Sequence, residues 1–384
     1  MVAEAGSRRP TRRTVAIAAM IAACVSALVL SNTAPAPAKG PVSVVPRSFY
    51  GVVPQSTLTT ADITRMGQGQ IGELRTIFNW ATIDVTEAAG DNDWSQIDPI
   101  VAEAARNGIQ VLPFIFGTPT WVAKTLDGRS CQPKSCGVYA PSKAAALTEW
   151  KRFLGEAVAR YGPNGEFFAA NPSLPVVPIT TWQIWNEQNS ETFYKPKPSP
   201  SAYAKLVAAS RDAILSKDPT AKILLGGMFG SPGGEDEPKL FAWNFLRKLY
   251  QAPGFKDAFT GVASHPYAAR LTKVEEQVKL IHDQIAKAGD DAELWITEVG
   301  WSSGNGKNPL ERGKQGQANR LRDAMRYFIG QREAFNIQNV TWFAWRDLAG
   351  KPICQWCGEA GLFKAKTLAP KPAWKALMAF TGGS

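Results

Sequence analysis

Two apolar, strand-like runs in this chain each end in a glutamate. One reads Thr181-Trp182-Gln183-Ile184-Trp185-Asn186-Glu187, and the other Leu294-Trp295-Ile296-Thr297-Glu298-Val299-Gly300-Trp301. A carboxylate at the end of a buried strand is costly unless something compensates it. Either glutamate alone would serve equally well as a cap or a salt-bridge partner. Two of them, both flanked by aromatics, favour a shared site. Carboxyl groups paired in this way suit chemistry in which one delivers a proton while the other acts ionised.

Other motifs carry less. Gly67-Gln68-Gly69-Gln70-Ile71-Gly72 fits a dinucleotide fingerprint, but that loop needs a strand before it and a helix after it. Here a helical stretch ends near Met66 and a strand begins near Glu73, so the run reads as a Gly-rich turn. Gly300-Trp301-Ser302-Ser303-Gly304 fits a nucleophile elbow, yet Asn305 to Pro309 continues as loop instead of opening a helix. Its histidine should also follow the serine, whereas the 2 histidines, His265 and His282, both precede it. That supply of histidine is equally poor for a catalytic metal, and none is expected.

The elements that must position the acids alternate between short apolar runs and longer helical ones. Predicted strands are Phe49–Val53, Glu73–Phe78, Ile109–Phe116, Thr180–Asn186, Lys222–Gly227, Gly261–His265, Glu293–Glu298 and Asn339–Trp345. Predicted helices are Trp94–Asn107, Lys143–Arg160, Ser201–Leu215, Lys273–Ala288 and Gly313–Gln331. Ser199-Pro200 supplies a cap and a proline at the first helical position. Strands separated by helices imply parallel pairing through βαβ crossovers. The pattern points to a single (β/α)8 TIM barrel over residues 41–384, with a doubly wound sheet as the alternative. In a barrel, the C-terminal strand ends face the active site, which is where both glutamates fall.

With the acids on the fourth and seventh strands, the chain resembles the clan A retaining glycoside hydrolases, nearest to families 39 and 5. Trp185-Asn186-Glu187 is similar to their W-N-E motif, and Thr297-Glu298-Val299-Gly300-Trp301 to their nucleophile strand. The resemblance implies that Glu187 is the acid/base, Glu298 the nucleophile, and Asn186 the residue that grips the sugar 2-hydroxyl. It further implies that Arg75 on the second strand supports the nucleophile. His265 and Tyr267 in Ser264-His265-Pro266-Tyr267 would come from the sixth strand. Trp345 in Trp342-Phe343-Ala344-Trp345 would be a sugar platform from the eighth.

Those roles are chemically coherent. Retention needs the two carboxyl groups about 5–5.5 Å apart. The Arg75 charge would keep the nucleophile ionised, while Glu187, less compensated, would hold its proton. Tyr267 could donate a hydrogen bond to the nucleophile. Specificity is expected in the strand-to-helix loops, with Trp121 after the third strand, Phe193 and Tyr194 after the fourth, and Trp356 after the eighth. For the last three, plain loop packing is an equal reading.

Of 5 cysteines, Cys24 lies in the N-terminal apolar run and Cys131, Cys136, Cys354 and Cys357 lie beyond it. In an exported chain, short spacing favours local disulfides, Cys131–Cys136 and Cys354–Cys357. A cross-loop pairing or a zinc site is the rival. Arg8, Arg9, Arg12 and Arg13 precede an apolar run from Val15 to Leu30 and then small residues, so residues 1–40 read as an export signal or anchor. Cleavage is expected near Ala34 to Ala38. Ile21-Ala22-Ala23-Cys24 resembles a lipobox, but the apolar run continues past it.

A net charge of +10 without basic runs interleaved with aromatics argues against nucleic acid. The 13 tryptophans suit sugar stacking or a large core alike. Asn339-Val340-Thr341 fits a glycosylation sequon but starts a buried strand. The sequence therefore leads to a monomeric, secreted or surface-anchored retaining glycosidase without a cofactor, acting on carbohydrate. A non-catalytic carbohydrate-binding barrel and a surface-polymer transglycosidase are the rivals.

Overall fold

The computed structural model describes residues 44–383, apart from 88–90, 128–132, 232–236, 307 and 353. The expected export segment and Cys131 lie outside the described residues. Eight principal strands are β1 (Tyr50–Val53), β2 (Glu73–Asn79), β3 (Gln110–Phe116), β4 (Thr181–Ile184), β5 (Lys222–Leu225), β6 (Gly261–His265), β7 (Glu293–Val299) and β8 (Ile337–Phe343). Each pairs in parallel with the next, and β8 pairs with β1. Leu224 opposite Gly261 closes the ring between β5 and β6, and the short run Met228–Phe229 lies beside Ser264 and His265. The structure is a closed (β/α)8 barrel, as the alternation predicts.

Two apolar layers make this closure favourable. Leu112, Leu224, Ala263 and Trp295 point inward and pack across the barrel interior. The outward-facing residues of the strands join the helices in a much larger core that includes Ile115, Trp182, Val262 and Ile296. Burying a full Val, Leu, Ile or Phe side chain is worth about 1.5–3 kcal/mol, so this layer sets the strand-to-helix spacing. Helices Ala144–Tyr161, Pro200–Leu215, Leu271–Lys287 and Gly313–Gln331 match their predicted spans within two residues. The helix predicted over Trp94–Asn107 spans only Asp98–Arg106. Trp94 instead stays in the preceding turn, stacked on Phe153 at 5.8 Å.

Three local departures from regular strands shape the mouth of the barrel. The fourth strand, predicted to reach Asn186, ends at Ile184, because Trp185 and Glu187 adopt left-handed backbone angles (φ 70° and 45°). The Tyr203 hydroxyl secures this turn. It donates to the Ile184 carbonyl and accepts from the Gly226 amide, both at 2.7 Å. In β7 the register shifts between Ile296↔Val340 and Val299↔Trp342, which places one extra residue around Thr297 and Glu298. The eighth strand, predicted to reach Trp345, ends at Phe343. Asn339 of the sequon is fully buried and donates to the Ser48 carbonyl at 2.8 Å.

Candidate active site

The C-terminal ends of the strands open into a cleft of about 660 Å3. Its floor holds Asn186, Glu187, Tyr267 and Glu298, and its walls include Phe116, Phe193, Phe229, Phe343 and Trp356. The glycine-rich run at Gly67 is instead a helix-to-strand turn between Thr60–Gln68 and β2. Ser302 sits in a loop ahead of the helix that begins at Gly313.

Arg75 organises the floor. Its side chain is fully buried on β2, and its three nitrogens reach three acceptors. Nε donates to Gln183 Oε1, Nη1 to Glu298 Oε1 and Nη2 to Asn186 Oδ1, each at 2.7 Å. The Phe114 ring lies under the guanidinium at 4.1 Å. A planar, permanently charged fork suits this divergent set better than a lysine would. Asn186 is thereby fixed through its carbonyl oxygen, which leaves its Nδ2 group for the cleft.

Glu298 comes from β7 with its side chain 13% exposed. Besides Arg75, it accepts from the Tyr267 hydroxyl at Oε2, 2.8 Å away. Burial, and then the Glu298 charge, push the Tyr267 hydroxyl well above the ordinary phenol range, so it stays protonated as a donor. Glu187 faces Glu298 from the turn after β4. Its amide donates to the Gly227 carbonyl at 3.0 Å, and its Oε1 lies 2.9 Å from His265 Nδ1. Burial first and the Glu298 charge second raise the Glu187 carboxyl well above the usual range, with Arg75 opposing. Burial, followed by the Arg75 charge, lowers His265 well below its usual value, which makes it neutral.

One carboxylate oxygen of Glu187, one of Glu298 and a ring nitrogen of His265 all lie within 4.8 Å of one another. In geometry this trio could gather a cation. However, Arg75 already occupies Glu298 Oε1 with a fixed positive charge, and Glu187 occupies His265 Nδ1. The set is better suited to moving a proton than to holding a metal.

Six of the eight expected substrate-site residues therefore meet in one place: Arg75, Asn186, Glu187, His265, Tyr267 and Glu298. Two do not. Trp345, expected as a sugar platform, is fully buried outside the barrel mouth. It packs on Phe363 at 4.6 Å and Trp374 at 5.5 Å, and its Nε1 donates to Asp62 Oδ1 at 2.8 Å. The cleft wall on that side is formed by Phe343 and Trp356. Trp121 is half-buried, packs on the core, and donates to the Asp84 carbonyl at 3.2 Å, away from the cleft lining.

The loop aromatics divide in the same way. Phe193 and Trp356 line the cleft, whereas Tyr194 is buried against Trp185 and Tyr203. Trp356 sits within a Cys354–Cys357 disulfide and packs on Tyr267 at 5.1 Å and Phe343 at 5.6 Å. Cys136 is also disulfide-bonded, and its expected partner lies outside the described residues. Gln183 and Thr297 are part of the floor although the sequence pattern assigns them no role. Their only signal is a polar residue in the middle of an otherwise apolar strand.

No protein-family model matches the chain, and no curated protein sequence does either. Solved structures do resemble it. A family 39 glycoside hydrolase from the gut symbiont Bacteroides cellulosilyticus superposes with a TM-score of 0.61 at 18% identity over 88% of this chain. A family 39 β-xylosidase from Caulobacter crescentus gives 0.60 at 17% identity, covering 89% of this chain and 73% of its own. A family 10 endoxylanase from a sugarcane soil metagenome gives 0.58 at 15%, covering 88% of this chain and 98% of its own. The chain spans 63% of the length of the first of these. At such identities the likeness is one of architecture, and it establishes the chain as a (β/α)8 barrel of the same fold as these enzymes.

Proposed function

We propose that the chain is an exported retaining glycoside hydrolase that cleaves a β-glycosidic bond in an oligo- or polysaccharide. The observation that carries this reading is the separation of Glu187 and Glu298, whose nearer oxygens lie within 4.8 Å across the cleft. That fits the roughly 5–5.5 Å of retaining enzymes and falls short of the roughly 6.5–9.5 Å that an inverting enzyme needs for its water.

Glu298 attacks the anomeric carbon as the bond to the leaving oxygen breaks, and Glu187 gives that oxygen its proton. A glycosyl ester on Glu298 results. Glu187, now ionised, takes a proton from water as the water attacks the anomeric carbon, and the ester bond to Glu298 breaks. Arg75 and Tyr267 orient Glu298, one donating to each of its carboxylate oxygens. Asn186 Nδ2 donates to the sugar 2-hydroxyl, a contact that strengthens as positive charge develops on the ring.

The similar structures described as a β-xylosidase and an endoxylanase make aryl β-xylosides and xylan the first substrates to try. Proton NMR of the first-formed product tests the reading: a β-anomer from a β-glycoside supports it, and an α-anomer refutes the double displacement. Export rests on the pattern of residues 1–40, and the N-terminal sequence of mature protein from the culture medium checks it.

A further inference from the structure

We propose that Gln183 and Thr297 are positioning residues that hold His265 as the neutral Nδ1–H tautomer, so that the catalytic proton of Glu187 is confined to Oε2. The assignment comes from one chain of hydrogen bonds whose direction is set at its far end. Arg75 Nε can only donate, so the Gln183 atom 2.7 Å away must be the carbonyl oxygen. An amide group turned the other way would set donor against donor. The Gln183 Nε2 group is therefore the donor. It has two hydrogens and two acceptors, the Leu225 carbonyl and Thr297 Oγ1, both at 3.2 Å.

Thr297 Oγ1 thus accepts from Gln183 and has its own proton to place. Thr297 is fully buried, and the one remaining partner of its hydroxyl among the described residues is His265 Nε2 at 3.1 Å. Placing the proton there makes Nε2 an acceptor, and the neutral ring must carry its hydrogen on Nδ1. Nδ1–H then donates to Glu187 Oε1 at 2.9 Å. In the opposite tautomer, Nε2–H and Gln183 would both point at Thr297, and a buried hydroxyl proton would lose its partner.

The other groups facing the ring do not reverse this. Glu298 Oε1 is 3.7 Å from Nε2, beyond hydrogen-bond reach, and it already accepts from Arg75. The Tyr267 ring lies 6.4 Å away with its hydroxyl committed to Glu298. Burial and Arg75 keep the ring from charging. Gly227 backs Nε2 so closely that a Cβ there would fall 2.0 Å from it, so only a glycine leaves the ring its place beside Thr297.

With Oε1 accepting from the ring, Glu187 carries its proton on the other oxygen. This consequence for catalysis rests on the glycosidase reading, whereas the tautomer itself does not.

Long-range proton–nitrogen NMR on histidine-labelled protein reads the tautomer directly. The chain has 2 histidines, and His282→Gln leaves a single ring to assign. The expected spectrum at neutral pH shows a pyrrole-type Nδ1 and a bare, pyridine-type Nε2 for His265. A proton on Nε2, or on both nitrogens, would overturn the proposal whether or not a substrate is known. Thr297→Val removes the donor to Nε2, so the preference for Nδ1–H should weaken and a measurable share of the ring should carry its proton on Nε2 while Glu187 donates to Nδ1. The same variant should also lower kcat about ten-fold on glycosides whose leaving group needs a proton, with KM little changed, as expected for one mispaired hydrogen bond. Thr297→Ser should restore both. A Val variant that keeps the Nδ1–H pattern would show that Thr297 does not set it.

Discussion

Arg75 and Glu298 form an ion pair at 2.7 Å that bridges β2 and β7 beneath the cleft. The same guanidinium fixes Asn186 and Gln183, so one buried charge sets the position of a carboxylate and two amides. Arg75→Lys is expected to lose more than the change in size suggests. A point-charge ammonium cannot reproduce three divergent bonds, and kcat/KM should fall by about 100-fold or more, in line with the loss of preorganised contacts. Arg75→Met, which leaves Glu298 without its partner, should also lower stability by about 3–5 kcal/mol. Denaturant unfolding of both variants, alongside kinetics, separates the two effects.

The pH profile should report Glu187. The acid must be protonated for the first step, so its raised titration sets the basic limb of kcat/KM above that of an ordinary glutamate. Part of the rise comes from the Glu298 charge. In Glu298→Gln that repulsion is gone, and the protonated form of Glu187 loses one of its causes. The Glu187 titration should therefore move to lower pH, as followed by carbon NMR of labelled glutamate. Movement to higher pH would contradict the charge argument.

Two tryptophans at the end of the eighth strand should behave oppositely. Trp345→Ala removes a buried ring and its bond to Asp62, so stability should drop by about 3–5 kcal/mol. Trp356→Ala removes a cleft wall and should raise KM several-fold with little effect on unfolding. Cys354→Ser with Cys357→Ser, which frees the turn that carries Trp356, should shift KM in the same direction.

The two tryptophans also mark where the sequence is legible. Every principal strand can be read from short apolar runs between turn residues, because burial on both faces demands them. Arg75, His265 and Tyr267 are legible only through the resemblance to the clan A enzymes, once the strands are numbered. Trp345, taken from the same resemblance, is misplaced because alternation puts Phe343 and Trp345 on one face only while the strand continues, and β8 stops at Phe343. Thr297 escapes for a related reason. Neighbours on a regular strand face opposite ways, but the extra residue in β7 lets Thr297 reach His265 while Glu298 reaches Arg75. The left-handed angles at Trp185 and Glu187 have no signal at all, since neither residue type favours them.

Azide rescue of Glu187→Ala and Glu298→Ala, on an activated aryl β-glycoside that the wild type accepts, tests the two glutamates most directly. The Glu187 variant should still form the glycosyl ester but release it slowly. Azide should then attack that ester and give a β-glycosyl azide. The Glu298 variant cannot form the ester, and azide in the vacated space should give the α-glycosyl azide in one displacement. The opposite pairing of variant and product would exchange the roles of Glu187 and Glu298. Undiminished turnover in both variants would contradict the account outright.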